Sequence, residues 1–243
     1  MKILLDELTN KNRKGVTLNC FSPLVMIITF AIEISLAVYT FIKSRKAKSD
    51  VGIVIVLVFL ATFQLSEYQI CDGKDALLWS RIGLFAITFL PVMGVYLISK
   101  LKKEAKLLKI GFAIAIAFAI FFVFIPKTIN GATCGGNYII FDIKSSIHSL
   151  YGYYYLGFLF IGIIQAFKGM QNEENKKSIK KALKWFIIGY LSFILPLTLV
   201  YIIIPITRVA VTSIMCGFAV IFAFIITFKI APIYHENIKL KNK

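Results

Sequence analysis

Residues 21–42 read FSPLVMIITFAIEISLAVYTFI, an apolar run holding a single carboxylate, Glu33, and no cation. A helix rises about 1.5 Å per residue, so a run of this length spans the roughly 30 Å hydrocarbon core of a bilayer. Six more runs of the same kind follow, at 51–69, 76–99, 107–125, 147–168, 185–204 and 208–230. The sequence therefore predicts an all-α membrane protein, a bundle of seven transmembrane helices over residues 21–230. A polar tail at 1–20 precedes the bundle and a short tail at 231–243 follows it. The last two runs are separated only by Pro205-Ile206-Thr207-Arg208. A tight hairpin is expected there, because proline stops a helix and arginine seeks the interface.

Composition agrees with this reading. Hydrophobic residues make up 58% of the chain and charged ones 16%, too little polarity to clothe a water-soluble domain of this size. The net charge of +16 does not point to nucleic acid, because lysine and arginine cluster in short segments between the apolar runs. Such clusters orient a membrane protein. Of the 28 basic residues, 19 fall at the first, third and fifth connections and the C-terminal end, and 8 at the N-terminal tail and alternate connections. Basic residues stay in the cytoplasm, so the N-terminus is expected outside and the C-terminus inside, in a cell inner (plasma) membrane. Lys11, Arg13 and Lys14 oppose this locally. The first apolar run is long enough to span and is read as an uncleaved helix.

Ionisable groups within a bilayer are costly, so their positions are informative. Glu67 falls near the end of the second run and Arg81 about one turn into the third. Their similar depth predicts an interhelical pair, with Gln64 on the face of Glu67. Glu33 lies near the middle of the first run, beyond easy snorkelling, and Thr212, Ser213 and Cys216 of the last run lie at a comparable depth. It is read as a neutral, hydrogen-bonded carboxyl or as a proton or cation site.

In the fifth run His148, Tyr151 and Tyr155 follow helical spacing and form a polar and aromatic stripe. The stripe either lines an outward-facing pocket or belongs to the interfacial aromatic belt. Above it runs the longest external connection, from Lys127 to Ser146, where Asn130-Gly131 and Gly135-Gly136 lead into Tyr138-Ile139-Ile140-Phe141. Glycine turns before a β-prone segment predict a small hairpin capping the bundle. Cys71 and Cys134 fall in external connections and are a candidate disulfide, with Cys20 a competing partner; Cys216 reads as a packing residue.

Catalytic chemistry has no candidate residues. No H-E-x-x-H, G-x-S-x-G or P-loop pattern occurs, and the last run has no mid-span lysine to carry a retinal. Four cysteines without a C-x-x-C pair and two histidines predict no metal site, and no cofactor is expected. Pro91 and Pro196 interrupt two runs and predict kinks. Gln171 to Lys184, with lysines at helical spacing, is expected to extend the sixth helix beyond the membrane.

The residues around the third run also carry a likeness. Glu67-Tyr68-Gln69, then Leu78-Trp79-Ser80-Arg81-Ile82-Gly83, then Leu90-Pro91 and Tyr96-Leu97, with Leu195-Pro196, Pro205 and Phe228-Lys229-Ile230-Ala231-Pro232-Ile233 later, resemble the seven-transmembrane N-terminal sensor region of bacterial histidine kinases. The resemblance implies an N-out, C-in bundle with a sensory role and makes Glu67 and Arg81 the interhelical pair. This chain departs from the family by ending where a kinase would follow. The expected function is that of a non-enzymatic receptor that detects an extracytoplasmic or membrane signal and relays it to a separate membrane or cytoplasmic signalling protein. Its outer site would draw on Glu67, Arg81, His148, Tyr151 and Tyr155. Its other partner is membrane lipid, and no nucleic acid is expected. The alternative is a proton- or cation-coupled transporter, or a subunit of a membrane complex, that uses Glu33.

Overall fold

The computed structural model describes residues 23–47, 50–102, 107–135, 138–173, 175–203 and 211–239. The expected tail at 1–20 and the turn at Pro205-Ile206-Thr207-Arg208 lie outside them. In chain order the elements are α1 (Pro23–Ala47), α2 (Gly52–Cys71), α3 (Ala76–Lys102), α4 (Leu108–Phe124), β1 (Ile129–Cys134), β2 (Ile139–Ile143), α5 (Ser145–Gln171), α6 (Lys177–Ile203) and α7 (Val211–Ile225). A π-helical turn, Ile226–Ile230, joins α7 to α8 (Ala231–Lys239).

Among the described residues six helical segments are long and apolar enough to cross a membrane, the last of them running from Ser213 through the π turn to Glu236. Helix α4 is shorter, at 17 residues. At about 1.5 Å per residue it measures roughly 25 Å, less than the hydrocarbon core. The chain is thus a predominantly helical, multi-pass membrane protein.

Helix α3 lies at the centre. It packs on α2, α4, α5 and α6 and against strand β1, while α7 closes the ring by touching α6 on one side and α1 and α2 on the other. The turns between helices are held by short-range polar contacts. Asp50 accepts from the Gly52 N–H at 2.6 Å and from the Tyr96 hydroxyl, and Lys100 lies 3.8 Å away. At the other end Asp75 caps α3, accepting from the N–H groups of Leu77 and Leu78 at 3.0 and 3.1 Å. Pro91 sits inside α3, where its ring removes a backbone donor. One turn earlier the Tyr154 hydroxyl donates to the Thr88 carbonyl at 2.6 Å, so a neighbouring helix supplies hydrogen bonding beside the break.

Several boundaries differ from the sequence reading. Helix α1 continues to Ala47, because a helix end rich in arginine and lysine can stay helical beyond the apolar core. Helix α6 begins at Lys177, so its basic first turns are helical, as the lysine spacing predicts. Residues 231–239 are not a loose tail: Ala231, Tyr234 and His235 are buried against the bundle. The join is a π turn in which the Ala231 N–H reaches the Ile226 carbonyl, five residues back. Pro232 follows at once and cannot donate, and the ladder adjusts around it.

The hairpin forms between Lys127 and Ser146, giving an otherwise helical fold a small antiparallel sheet. Its register pairs Ala132 with Phe141 and Cys134 with Ile139. Asn130-Gly131 is not a turn but a bulge within β1, where Gly131 has φ +143°, a conformation that side chains with a Cβ rarely adopt.

Candidate functional site

Beneath the hairpin the bundle opens into a cleft of about 230 Å³. Its lining includes Phe141 of β2, His148, Tyr151 and Tyr155 of α5, Tyr201 of α6 and Met215 of α7. The spacing of the α5 residues puts them on one inward face, and the structure leaves His148 exposed at the rim with Tyr151 and Tyr155 buried below. The interfacial-belt reading of these tyrosines is therefore corrected. Tyr153, 79% exposed, is the α5 tyrosine that faces outward.

Tyr151 is wedged between the rings of Phe118 and Phe122, at 5.3 and 5.0 Å, and its hydroxyl lies 3.2 Å from Thr88 Oγ1. Tyr155 and Met215 form the floor. The same two residues line a second, internal cavity of about 30 Å³, shared with Gly94, Tyr190 and Cys216. The cleft is thus lined by aromatic rings, with an imidazole at its mouth. A surface of this composition suits the flat apolar body of a small molecule.

Two fastenings hold the hairpin over the cleft. Cys71, at the end of α2, is disulfide-bonded to Cys134, at the end of β1. The Ile139 N–H donates to Ser213 Oγ of α7 at 3.2 Å. Met26, Ile70 and Ile139 pack together beside the bond, and Phe63 of α2 meets Phe141 at 5.9 Å. Cys20 lies outside the described residues.

The structure does not join Glu67 to Arg81. Among the described residues no ion pair links them, and Arg81 Nε has no hydrogen-bond partner. The reason is rotation about the helix axis, not depth. The α2–α3 seam runs through Gly83, where an added Cβ would lie 3.1 Å from Ser66 and 3.3 Å from Phe63. Arg81, two residues earlier, points about 200° away at roughly 100° per residue, and Glu67 is likewise one step around from Ser66. Neither residue lines the cleft.

Glu67 instead faces the bundle interior, where it pairs with the Ser213 hydroxyl and lies within electrostatic range of Glu33 and Cys216. Both carboxyls are buried, at 0% exposure for Glu33 and 1% for Glu67. Neither oxygen of Glu33, nor Oε1 of Glu67, has a hydrogen-bond partner among the described residues. Gln64 completes the group, its Oε1 accepting from Thr29 at 3.1 Å while its Nε2 has no partner. Of the residues placed at the depth of Glu33 by the sequence, Ser213 bonds to Glu67 and Cys216 lies within electrostatic range of both carboxyls, while neither bonds to Glu33; the Thr212 side chain lies outside the described residues. A carboxyl without a hydrogen-bond partner is costly to bury in so apolar a setting.

Among the described residues no group of histidine, cysteine and acidic side chains could hold a metal ion. Sequence reasoning missed Tyr190, whose hydroxyl lies against Gly94 and Gly162, because nothing in the chain pairs these residues in advance. Compared with protein-family models, curated proteins and solved structures, the chain has no match.

Proposed function

We propose that the protein is a seven-helix membrane receptor, N-terminus outside and C-terminus inside, that binds a small amphipathic molecule in the cleft under the hairpin. It passes the event to a separate signalling protein on the cytoplasmic side. The observation that carries this reading is the cleft: His148, Tyr151 and Tyr155 converge on it, and a disulfide-fastened hairpin roofs it. The excess of basic residues at the opposite end supports the orientation. Counting α4 as the seventh crossing satisfies both the odd number and the charge asymmetry. The likeness of the Trp79-Ser80-Arg81 segment to histidine-kinase sensor regions favours sensing over catalysis.

The test is a thermal-unfolding screen of the protein in lipid nanodiscs against small aromatic and amphipathic molecules. A true ligand at a hundredfold excess over its Kd stabilises by about 2.7 kcal/mol. Tyr151→Leu and His148→Gln are each expected to weaken that ligand about tenfold, with the fold intact. A screen whose every hit ignores both substitutions removes the support for the cleft.

The buried carboxyl pair favours a second reading, a proton- or cation-coupled transporter. On that reading Glu33→Gln abolishes coupled uptake into liposomes while the protein still folds and inserts, because the amide cannot release a proton or neutralise a cation. Flux unchanged by the substitution, or no flux in the unaltered protein, excludes it.

A further inference from the structure

At the end of the bundle opposite the hairpin, a second cleft of about 230 Å³ opens between α1 and the π turn, lined by Tyr39, Thr40, Lys43, Thr227, Phe228 and His235 among others. Two of these side chains behave unlike their counterparts elsewhere. Thr62, Thr88 and Thr198 each fold the hydroxyl back onto the carbonyl four residues earlier, at 2.8, 2.6 and 2.8 Å. That is the usual resort of threonine in an apolar helix. Thr40 and Thr227, 1% and 2% exposed, do not; their hydroxyls have no partner among the described residues, and both border the same cleft. A buried hydroxyl without a partner costs roughly 1–3 kcal/mol, and two such costs at one cavity point to something that accepts from them.

The surroundings identify what that is. Lys43 brings an ammonium group 5.6 Å from the Tyr39 ring, and His235 lies further along, its Nε2 3.4 Å from Ser44 Oγ. The cleft's flank is apolar and faces the bilayer: Tyr39 and Phe228, 44% and 47% exposed, meet at 5.7 Å. Arg45 and Lys46 close the same helix, and Lys229 caps the Trp185 ring at 5.5 Å, a cationic and aromatic level characteristic of the headgroup region. Along α1, Lys43 stands one turn nearer water than Thr40. From membrane to water the cleft therefore offers an aromatic flank, two hydroxyl donors and a cation. A phospholipid presents the complementary series of acyl chain, ester carbonyls and phosphate.

We propose that this cleft is a binding site for an anionic phospholipid, with the phosphate at Lys43 and the ester carbonyls accepting from Thr40 and Thr227. The ligand is a lipid and not a free phosphate, because the unpartnered hydroxyls lie on the membrane side of the cation, where only a lipid has acceptors. The π turn fits the role: Thr227 lies within it and lines the cleft, and such turns recur at functional sites. The site lies far from the hairpin-end cleft and does not depend on the receptor reading.

The experiment compares the purified protein in nanodiscs of phosphatidylcholine with and without phosphatidylglycerol, counting retained lipid by native mass spectrometry and following thermal unfolding. Phosphatidylglycerol is expected to be retained about tenfold over phosphatidylcholine and to raise the unfolding midpoint. Lys43→Gln and the pair Thr40→Val with Thr227→Val each erase that preference, and Lys43→Arg keeps it. Lys229→Gln, which removes a charge at the same level but outside the cleft, leaves it unchanged. The valine pair unfolds no earlier than the unaltered protein in phosphatidylcholine alone, so misfolding is separable from lost binding. Equal retention of the two lipids, or a preference lost equally on Lys229→Gln, overturns the proposal. So does stabilisation in lipid-free detergent by inorganic phosphate that matches that of phosphatidylglycerol.

Discussion

Cys71→Ser is expected to lower the free energy of unfolding by about 2–4 kcal/mol, and a reductant should have the same effect on the unaltered protein. The bond joins residues 63 apart in sequence and encloses all of α3 and α4. Chain entropy alone gives about 4 kcal/mol for a loop of that size. The enclosed helices stay helical in a membrane-embedded denatured state, which restricts the open loop already and trims the effect. The loss should concentrate in the hairpin. With the bond gone, residues 129–143 keep the Ile139–Ser213 hydrogen bond, the small Met26, Ile70 and Ile139 cluster, the Phe63–Phe141 contact and the packing of Ile129 in the main core. Detergent-titration unfolding measures the total, and amide exchange measures its distribution, fast over the hairpin and unchanged in the middle of α3. Cys216→Ser is the control, since that buried thiol is not bonded. Unfolding that is indifferent to reductant would falsify the fastening.

Gly94→Ala is expected to destabilise by about 2–3 kcal/mol, a large effect for one added methyl group. The new Cβ would lie 1.9 Å from the Tyr190 hydroxyl and 3.1 Å from Cζ. The ring cannot swing clear. It stacks on Phe222 at 5.5 Å, meets Phe193 at 5.9 Å, and its hydroxyl already lies 3.1 Å from where a Cβ on Gly162 would be. The cure follows from the same geometry. The Tyr190 hydroxyl is buried without a partner among the described residues, so Tyr190→Phe costs little and combines with Gly94→Ala to recover most of the loss. Gly157→Ala serves as the contrast, because nothing lies within 4 Å of its added Cβ and helical alanine is favoured over glycine. If Gly94→Ala unfolds no earlier than Gly157→Ala, the packing of α3 against α6 described above is wrong.

What could be read from the chain alone, and what could not, divides along a physical line. Hydrophobic run length is a one-dimensional property, so the runs at 51–69 and 76–99 coincide closely with α2 and α3. Depth is nearly as accessible, since rise per residue is constant: Ser213 and Cys216 are expected level with Glu33, and the one bonds to Glu67 while the other lies within electrostatic range of both carboxyls. Direction around the helix axis is another matter. Glu67 and Arg81 are close in depth yet turned apart, because the seam chosen by Gly83 and Ser66 depends on which surfaces interlock. The last apolar run ends at 230, which leaves 231–243 to be read as a tail, whereas burial of Tyr234 and His235 depends on a π turn that no propensity announces. The cleft at Thr40 and Thr227 joins the first and last helices, so neither half carries a local signal.

One backbone rod borders both of the clefts described above. Val211 and Met215 stand in the wall of the hairpin-end cleft, and Thr227 and His235 in the wall of the cleft at the far end. A continuous helix resists bending and twisting, so an occupant that rolls it at one membrane face must carry the other face along, less whatever the π turn absorbs. Thermodynamic linkage then makes the traffic two-way: whatever the bilayer does to the far wall is felt by a guest in the near one, in equal measure.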